Sequence, residues 1–108
     1  MDKLSAQAAL VRLDLATVIN KMNMYASMRL KTMSTKQLEG KLPEDFTADV
    51  ILKVLDGTLN WLNASTNDME AFLMMGIKGE CSNFIKKVSR RNINLFYLKD
   101  NDEDYENT

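Results

Sequence analysis

The chain has 108 residues, of which 45% are hydrophobic and 27% charged, and its net charge is −1. This length supplies the core of one small domain and is too short for two. Because it has no histidine and a single cysteine, Cys81, the chain cannot form an internal disulfide, a Cys/His zinc cluster, a Ser-His-Asp triad or a Cys-His dyad.

The residue types favour helices over strands. With one Trp, three Tyr and four Phe, the core must be built mainly from Leu, Ile, Val, Met and Ala, which pack well between helices. One Pro and four Gly leave few turn signals. We predict an all-α fold, a small three- to four-helix bundle that forms a single domain over residues 1–99. The acidic residues 100–108 are expected to form a disordered tail.

The first apolar stretch has helical spacing. Apolar residues recur at intervals of three and four from Leu4 to Met28, which predicts one helix, or two helices with a break near Asp14. The apolar face is wide, so we expect neighbours on more than one side. The next segment, residues 31–42, is polar and predicts a loop.

A second helix is predicted to begin at Pro43. Proline needs no amide donor in the first turn, and the two acids that follow it favour the positive end of the helix dipole. A stripe of apolar residues, expected to be buried, continues to Leu55, and Gly57 suits a C-terminal cap with positive φ. The connector at 58–66 is rich in Asn, Ser and Thr, yet it contains the only tryptophan, Trp61.

A third helix is predicted to begin at Asn67, which is followed three residues later by a glutamate, as in a capping box. We expect this helix to end at about Arg91. Gly76 and Gly79 lie inside it and either allow close helix packing or introduce a kink, and we favour packing. The apolar segment at 93–98 predicts a last strand or helical turn, or a contact with a second protein chain.

Charge is unevenly distributed along this part of the chain. Residues 78–91 hold five bases against Glu80 alone, a net charge of +4, whereas residues 100–108 hold five acids and no base. The pattern indicates either a polyanion-binding surface that the tail can mask, or a solvated helix end followed by a solubilising tail. Four bases, spaced so that they share one side of a helix as phosphate contacts require, form what we call the cationic band. The cationic band consists of Lys86, Lys87, Arg90 and Arg91.

The order of these features resembles region 2 of bacterial RNA polymerase sigma factors, especially the compact extracytoplasmic-function group, over about residues 17–91. The run ADVILK at 48–53 is similar to the family's helix that binds the coiled coil of the polymerase clamp. Leu-Asp-Gly at 55–57, the tryptophan that follows it, and the Phe72-Leu73 pair also fit the family pattern. The resemblance implies a region 2-like fold and a set of polymerase-binding residues. These are Asp49, Val50, Leu52, Lys53 and Asp56.

The same resemblance implies that the third helix binds promoter DNA. In the family, basic residues near its end contact the opened −10 element on the non-template strand, and the preceding loop forms a pocket for an unstacked base. Amide and hydroxyl side chains can bond base edges and Trp61 can stack on a base, although a lone tryptophan in a small domain also commonly packs inward. The implied DNA-binding residues are Asn60, Trp61, Asn63, Ser65, Asn83, Lys86, Lys87, Arg90 and Arg91.

We therefore expect a non-enzymatic transcription initiation protein that binds the clamp of core RNA polymerase and the melted −10 promoter element, with no metal or cofactor. The alternative is a helical interaction protein, or a polymerase-binding regulator that keeps the fold without opening promoters.

The paired acids Glu44 and Asp45 suit a helix start better than a metal site. The resemblance stops short of region 4, so recognition of a −35 element is not expected. Without a signal-peptide pattern or an apolar run of about 18 to 20 residues, a cytoplasmic location away from membranes is expected.

Overall fold

A computed structural model describes the backbone of residues 3–100 and the side chains of residues 3–91. This part of the chain is all-helical, as predicted. The tail expected to be disordered, residues 100–108, lies outside the described part except for its first residue, Asp100. In chain order the elements are α1 (Ala6–Val11), α2 (Leu15–Leu30), α3 (Thr35–Leu38), α4 (Pro43–Leu55), a 3-10 turn (Trp61–Asn63) and α5 (Met69–Asp100).

The first apolar stretch forms two helices. α1 begins after Ser5, whose Oγ accepts a hydrogen bond from the Ala8 amide at 3.2 Å. Asp14 precedes α2, and its Oδ2 accepts a hydrogen bond from the Thr17 hydroxyl at 2.7 Å. Of the two predicted alternatives, the break near Asp14 is therefore the one observed.

The core lies where α2, α4 and α5 pack against one another, with α1 beside α4. Both predicted ends of α4 are confirmed. Asp45 accepts a hydrogen bond from the Leu42 amide at 2.8 Å, with Pro43 in the first turn, and Gly57 leaves the helix at a φ of +88°. The most deeply buried large side chains are Met22, Val50, Val54, Leu73, Ile77 and Cys81.

Gly76 permits the close approach of α5 to α4. A Cβ atom placed on Gly76 would lie 2.8 Å from Cγ1 of Val50, closer than packed carbon atoms tolerate, and 3.4 Å from Cδ1 of Leu59. The prediction of a packing glycine is confirmed here. It is wrong for Gly79, where a Cβ would meet no heavy atom within 4 Å.

The segment predicted as a loop contains a helical turn, which is a correction to the sequence interpretation. Ser34 caps α3: its Oγ accepts from the Gln37 amide at 3.1 Å, while Gln37 Oε1 accepts from the Ser34 amide at 2.9 Å. This reciprocal capping box satisfies two amides that otherwise lack partners and stabilises a helix of only four residues.

The predicted bounds of the last helix are also corrected. Its cap is Asp68 and not Asn67, because Asp68 Oδ1 accepts from the amides of Glu70 at 3.0 Å and Ala71 at 3.4 Å. The helix continues to Asp100 rather than ending near Arg91, since no Gly or Pro interrupts the chain after Gly79. Within residues 3–100, every helix is too short or too polar to cross a bilayer.

Candidate functional site

The cationic band lies on the outer side of α5. All four of its side chains are exposed, whereas Phe84 and Val88 on the same helical turns are only 7% and 5% exposed and belong to the core. At about 100° per residue, the four cations span about 140° of the helix circumference, and the exposed Asn83 falls within that arc. The buried side chains therefore determine which way the cations face.

One cation of the band is paired and three are not paired within the described part. The Arg91 guanidinium donates to the Glu39 carboxylate, which follows α3. Among residues 3–91, no carboxylate lies within ion-pair distance of Lys86, Lys87 or Arg90. These three side chains can therefore approach an anion without first breaking an ion pair with that part of the chain.

Trp61 is a core residue, and the prediction that it stacks on a base is wrong. Its side chain is 3% exposed, its Nε1 donates to the Leu4 carbonyl at 2.8 Å, and its ring centroid lies 5.3 Å from that of Phe72. Lys3 covers it, with Nζ 4.2 Å from the ring centroid and donating to the Trp61 carbonyl at 2.8 Å. Burial is favourable because the single polar atom of the indole has a partner.

The other predicted loop residues lie apart from the cationic band. Asn60 caps the 3-10 turn, since its Oδ1 accepts from the Asn63 amide at 3.3 Å, while Asn63 and Ser65 are exposed. This bend, residues 57–66, precedes α5, and Lys86 lies about 25 Å further along the helix axis at 1.5 Å per residue. The structure therefore does not bring the bend and the cationic band into one site.

The predicted polymerase-binding residues divide between the surface and the core. Leu52 is 60% exposed and Leu55 is 50% exposed. Beside them lie Asp49, which is half-buried, and Asp56, which is exposed. We call these four residues the α4 outer face. Leu55, expected in the buried stripe, is an unpredicted member of this face, and its spacing of three residues from Leu52 was the signal for it.

The remaining two residues of that set are held by α5. Val50 has no exposed surface and packs against Gly76, so its prediction as a polymerase contact is wrong. Lys53 donates to the Glu80 carboxylate, and this hydrogen bond raises the pKa of Lys53 above its usual value. Both residues fix the position of α4 on α5 and thereby the direction of the α4 outer face.

A further pocket lies beside the bend, with a volume of about 610 Å³. Trp61, Leu13 and Met69 contribute its apolar wall, and Lys3 and Arg12 also line it. Within the described residues, no group of three or more His, Cys, Asp or Glu side chains could hold a metal ion. Asp68 lines the pocket too, so it is an apolar cleft with charges of both signs at its edge, remote from the cationic band.

Comparison of the chain with models of protein families, with curated proteins and with solved structures gave no match. What the chain does must therefore be argued from its surfaces. Two of these are distinct in chemistry: the cationic band on α5 and the apolar and acidic α4 outer face.

Proposed function

We propose that the protein is a sigma-factor-like transcription initiation protein in the cytoplasm. In this proposal, the α4 outer face binds the clamp of core RNA polymerase, and the cationic band binds the melted −10 element of promoter DNA on its non-template strand. The observation that carries the proposal is the exposure of Lys86, Lys87 and Arg90 side by side, on a helix whose other side is core. The resemblance to sigma region 2 supports the same assignment.

The cationic band suits phosphates because its charges are adjacent and available. Binding to a nucleic acid releases the counterions condensed on each contacted phosphate, and for single strands each contact contributes about −0.7 to the slope of log affinity against log salt. Three contacts from Lys86, Lys87 and Arg90 give an expected slope of about −2. Asn83, within the same arc, is the side chain placed to meet a base edge.

The α4 outer face suits a protein partner because it combines exposed apolar and acidic groups. Leu52 and Leu55 form an apolar strip, flanked by Asp49 and Asp56. An apolar centre with a charged rim is the usual anatomy of a specific protein interface. A clamp surface with complementary basic and apolar side chains would bury both leucines.

The DNA-binding part is tested with a triple variant, Lys86→Glu, Lys87→Glu and Arg90→Glu. Arg91 is left intact because it is paired with Glu39. Fluorescence anisotropy with a single-stranded −10 oligonucleotide is expected to show more than about a tenfold loss of affinity at low salt. Lys78→Glu, at an exposed lysine on another side of α5, is the control for a single charge reversal outside the cationic band, and it is compared with Lys87→Glu alone as well as with the triple variant. Unchanged affinity of the triple variant, with helix content intact by circular dichroism, would refute this part.

The polymerase-binding part is tested with the double variant Leu52→Asp and Leu55→Asp. A pull-down with core polymerase is expected to lose the variant and to retain Leu62→Asp, whose original leucine is also 60% exposed but lies in the bend. Equal retention of both proteins would remove the α4 outer face from the proposal.

A second candidate function is a polymerase-binding regulator that does not open promoters. The burial of Trp61 and the distance of about 25 Å between the bend and the cationic band favour it, because the indole of Trp61 then cannot hold an unstacked base beside the cations. Permanganate reactivity of promoter thymines, measured with core polymerase present, separates the two. Opening supports the sigma-like function, whereas polymerase binding without opening supports the regulator.

A further inference from the structure

Two lysines outside the sequence-predicted site lie in the connection between α2 and α4. Lys31 and Lys41 line one surface depression of about 220 Å³, together with Leu38 and Pro43. Lys31 is exposed and Lys41 is half-buried, and neither forms an ion pair among residues 3–91. The depression therefore has two cations at its edge that the cationic band does not include.

The connection is attached to α5 next to the cationic band. Lys41 Nζ lies 6.0 Å from the ring centroid of Phe84, and Phe84, Lys87 and Arg91 are three and four residues apart on one side of α5. Glu39, two residues before Lys41, accepts from the Arg91 guanidinium. These two contacts place Lys41 beside the turn of α5 that carries Lys87.

The combined surface is positive even when its acids are counted. Two of the nearby acids are already engaged, Glu39 by Arg91 and Asp45 by the Leu42 amide, and Glu44 lies in the first turn of α4. Against these three acids stand six bases. They are Lys31, Lys41, Lys86, Lys87, Arg90 and Arg91.

The route along α5 in the opposite direction offers fewer cations to a phosphate chain than the connection does. Between Met69 and Lys86 the helix has a single base, Lys78, which faces away from the band at about 100° per residue. On the side of the band, Glu80 is the charged residue, and it is held by Lys53. A polyanion that leaves the band toward the bend would meet Arg29, which forms no ion pair among residues 3–91 and donates to Ser82 Oγ on α5 at 3.5 Å. The connection between α2 and α4 offers two such cations, Lys31 and Lys41, on the other side of the band.

We propose that the bound DNA strand leaves the cationic band across the connection between α2 and α4, where Lys31 and Lys41 contact its phosphates, and does not run along α5 toward the bend. This inference rests on the proposed function and specifies the path of the strand. It assigns two further DNA-binding residues, both on an element outside α5.

The test is the double variant Lys31→Glu and Lys41→Gln, titrated with the same −10 oligonucleotide over a range of salt concentrations. Glutamine keeps an aliphatic stem over the aromatic rings of Phe46 and Phe84 while removing the charge. The slope of log affinity against log salt is expected to become shallower by about 1.4, the contribution of two single-strand contacts. Lys31→Glu alone touches neither ring and keeps the test decisive if the Lys41 change unfolds the protein. Lys78→Glu changes the net charge by the same amount as Lys31→Glu and is the control for that single variant.

Each result has a distinct meaning. A shallower slope for the double variant but not for Lys78→Glu supports the proposed path. If the triple variant of the cationic band loses DNA while the Lys31 and Lys41 changes leave the slope unchanged, the path is refuted and the proposed function stands. An equal response of Lys31→Glu and Lys78→Glu also refutes the path, because the effect is then one of net charge. If the unaltered protein does not bind the oligonucleotide, both proposals fail.

Discussion

The two halves of α5, with the residues packed around them, differ in which side chains they bury and which they expose. At the start of the helix, Trp61 packs on Phe72 and its nitrogen is bonded to the Leu4 carbonyl, so this end faces inward. In the second half, Lys86 and Lys87 are exposed while the aliphatic and aromatic residues beside them are buried. Both regions fitted DNA binding from their residue types, but the side chain expected to stack on a base, Trp61, is buried, whereas Lys86 and Lys87 face solvent.

The difference follows from the free energy of burial. An ammonium or guanidinium group cannot be buried without a partner except at a large cost in hydration, so a run of cations on a helix must face water or an anion. An indole needs only one hydrogen bond to be buried favourably, and the Leu4 carbonyl supplies it. Charge therefore predicts exposure, whereas an aromatic residue in a polar connector does not.

The largest expected effect comes from Trp61→Ala. Removing a side chain that is 3% exposed should lower the free energy of unfolding by about 3 to 5 kcal/mol, measured by urea denaturation. Leu62→Ala, at an exposed neighbour, should change it by less than about 0.5 kcal/mol. If Trp61→Ala keeps its stability and loses DNA binding, the bend is a ligand site after all and the comparison fails.

The fold was predictable where local signals were strong. Pro43 and the acids after it fixed the start of α4, and Gly57 its end, because cap chemistry depends on a few adjacent residues. The capping box at Ser34 was present in the sequence, but the helix that it caps has only four residues, and the polar residues around it suggested a loop. The identity of the α5 cap was ambiguous because Asn67 and Asp68 are both good caps, and only the hydrogen bonds distinguish them.

The second largest effect is expected at Gly76, where the packed half of α5 meets α4. Gly76→Ala places a methyl group 2.8 Å from Val50 Cγ1 and should destabilise the protein by about 1 to 3 kcal/mol through overpacking. Gly79→Ala has open space and should stabilise the helix by up to about 1 kcal/mol. Thermal unfolding of the two variants should therefore shift in opposite directions, and a shared direction would contradict the packing described for this half.

The cap of α5 gives a smaller effect at the same end. Asp68→Ala removes the acceptor of two amide hydrogen bonds and should cost about 1 kcal/mol. Asn67→Ala, the cap that the sequence favoured, should change stability by less than about 0.5 kcal/mol. Denaturation midpoints decide between the two residues, and a larger loss for Asn67→Ala would restore the sequence assignment.

The site was predictable in its charges and not in its geometry. The spacing of Lys86, Lys87 and Arg90 was enough to place them on one side of a helix, because helical periodicity is local. Their separation from the bend depends on the length of α5, and the position of Lys41 beside Phe84 depends on how the connection folds over the core. Contacts between elements distant in sequence determine both, and periodicity carries no information about them. Val50 shows the same limit, since its burial depends on the close approach at Gly76.

The smallest expected effect concerns Asp56, at the junction of α4 and the bend. The hydrogen bond from the Thr58 amide, 2.8 Å from Asp56 Oδ1, lowers the pKa of Asp56. A carboxyl group whose pKa is lower in the folded state stabilises the fold above its unfolded pKa, about 3.9, and this contribution disappears as the pH falls through the folded value. Asp56→Asn keeps an acceptor oxygen but cannot titrate, so its stability should fall less between pH 5 and pH 2 than that of the unaltered protein. Asp49→Asn is the control on the same face, because Asp49 accepts no such backbone hydrogen bond among residues 3–91. An equal response of the two variants would mean that the hydrogen bond from Thr58 to Asp56 does not stabilise this end of the bend.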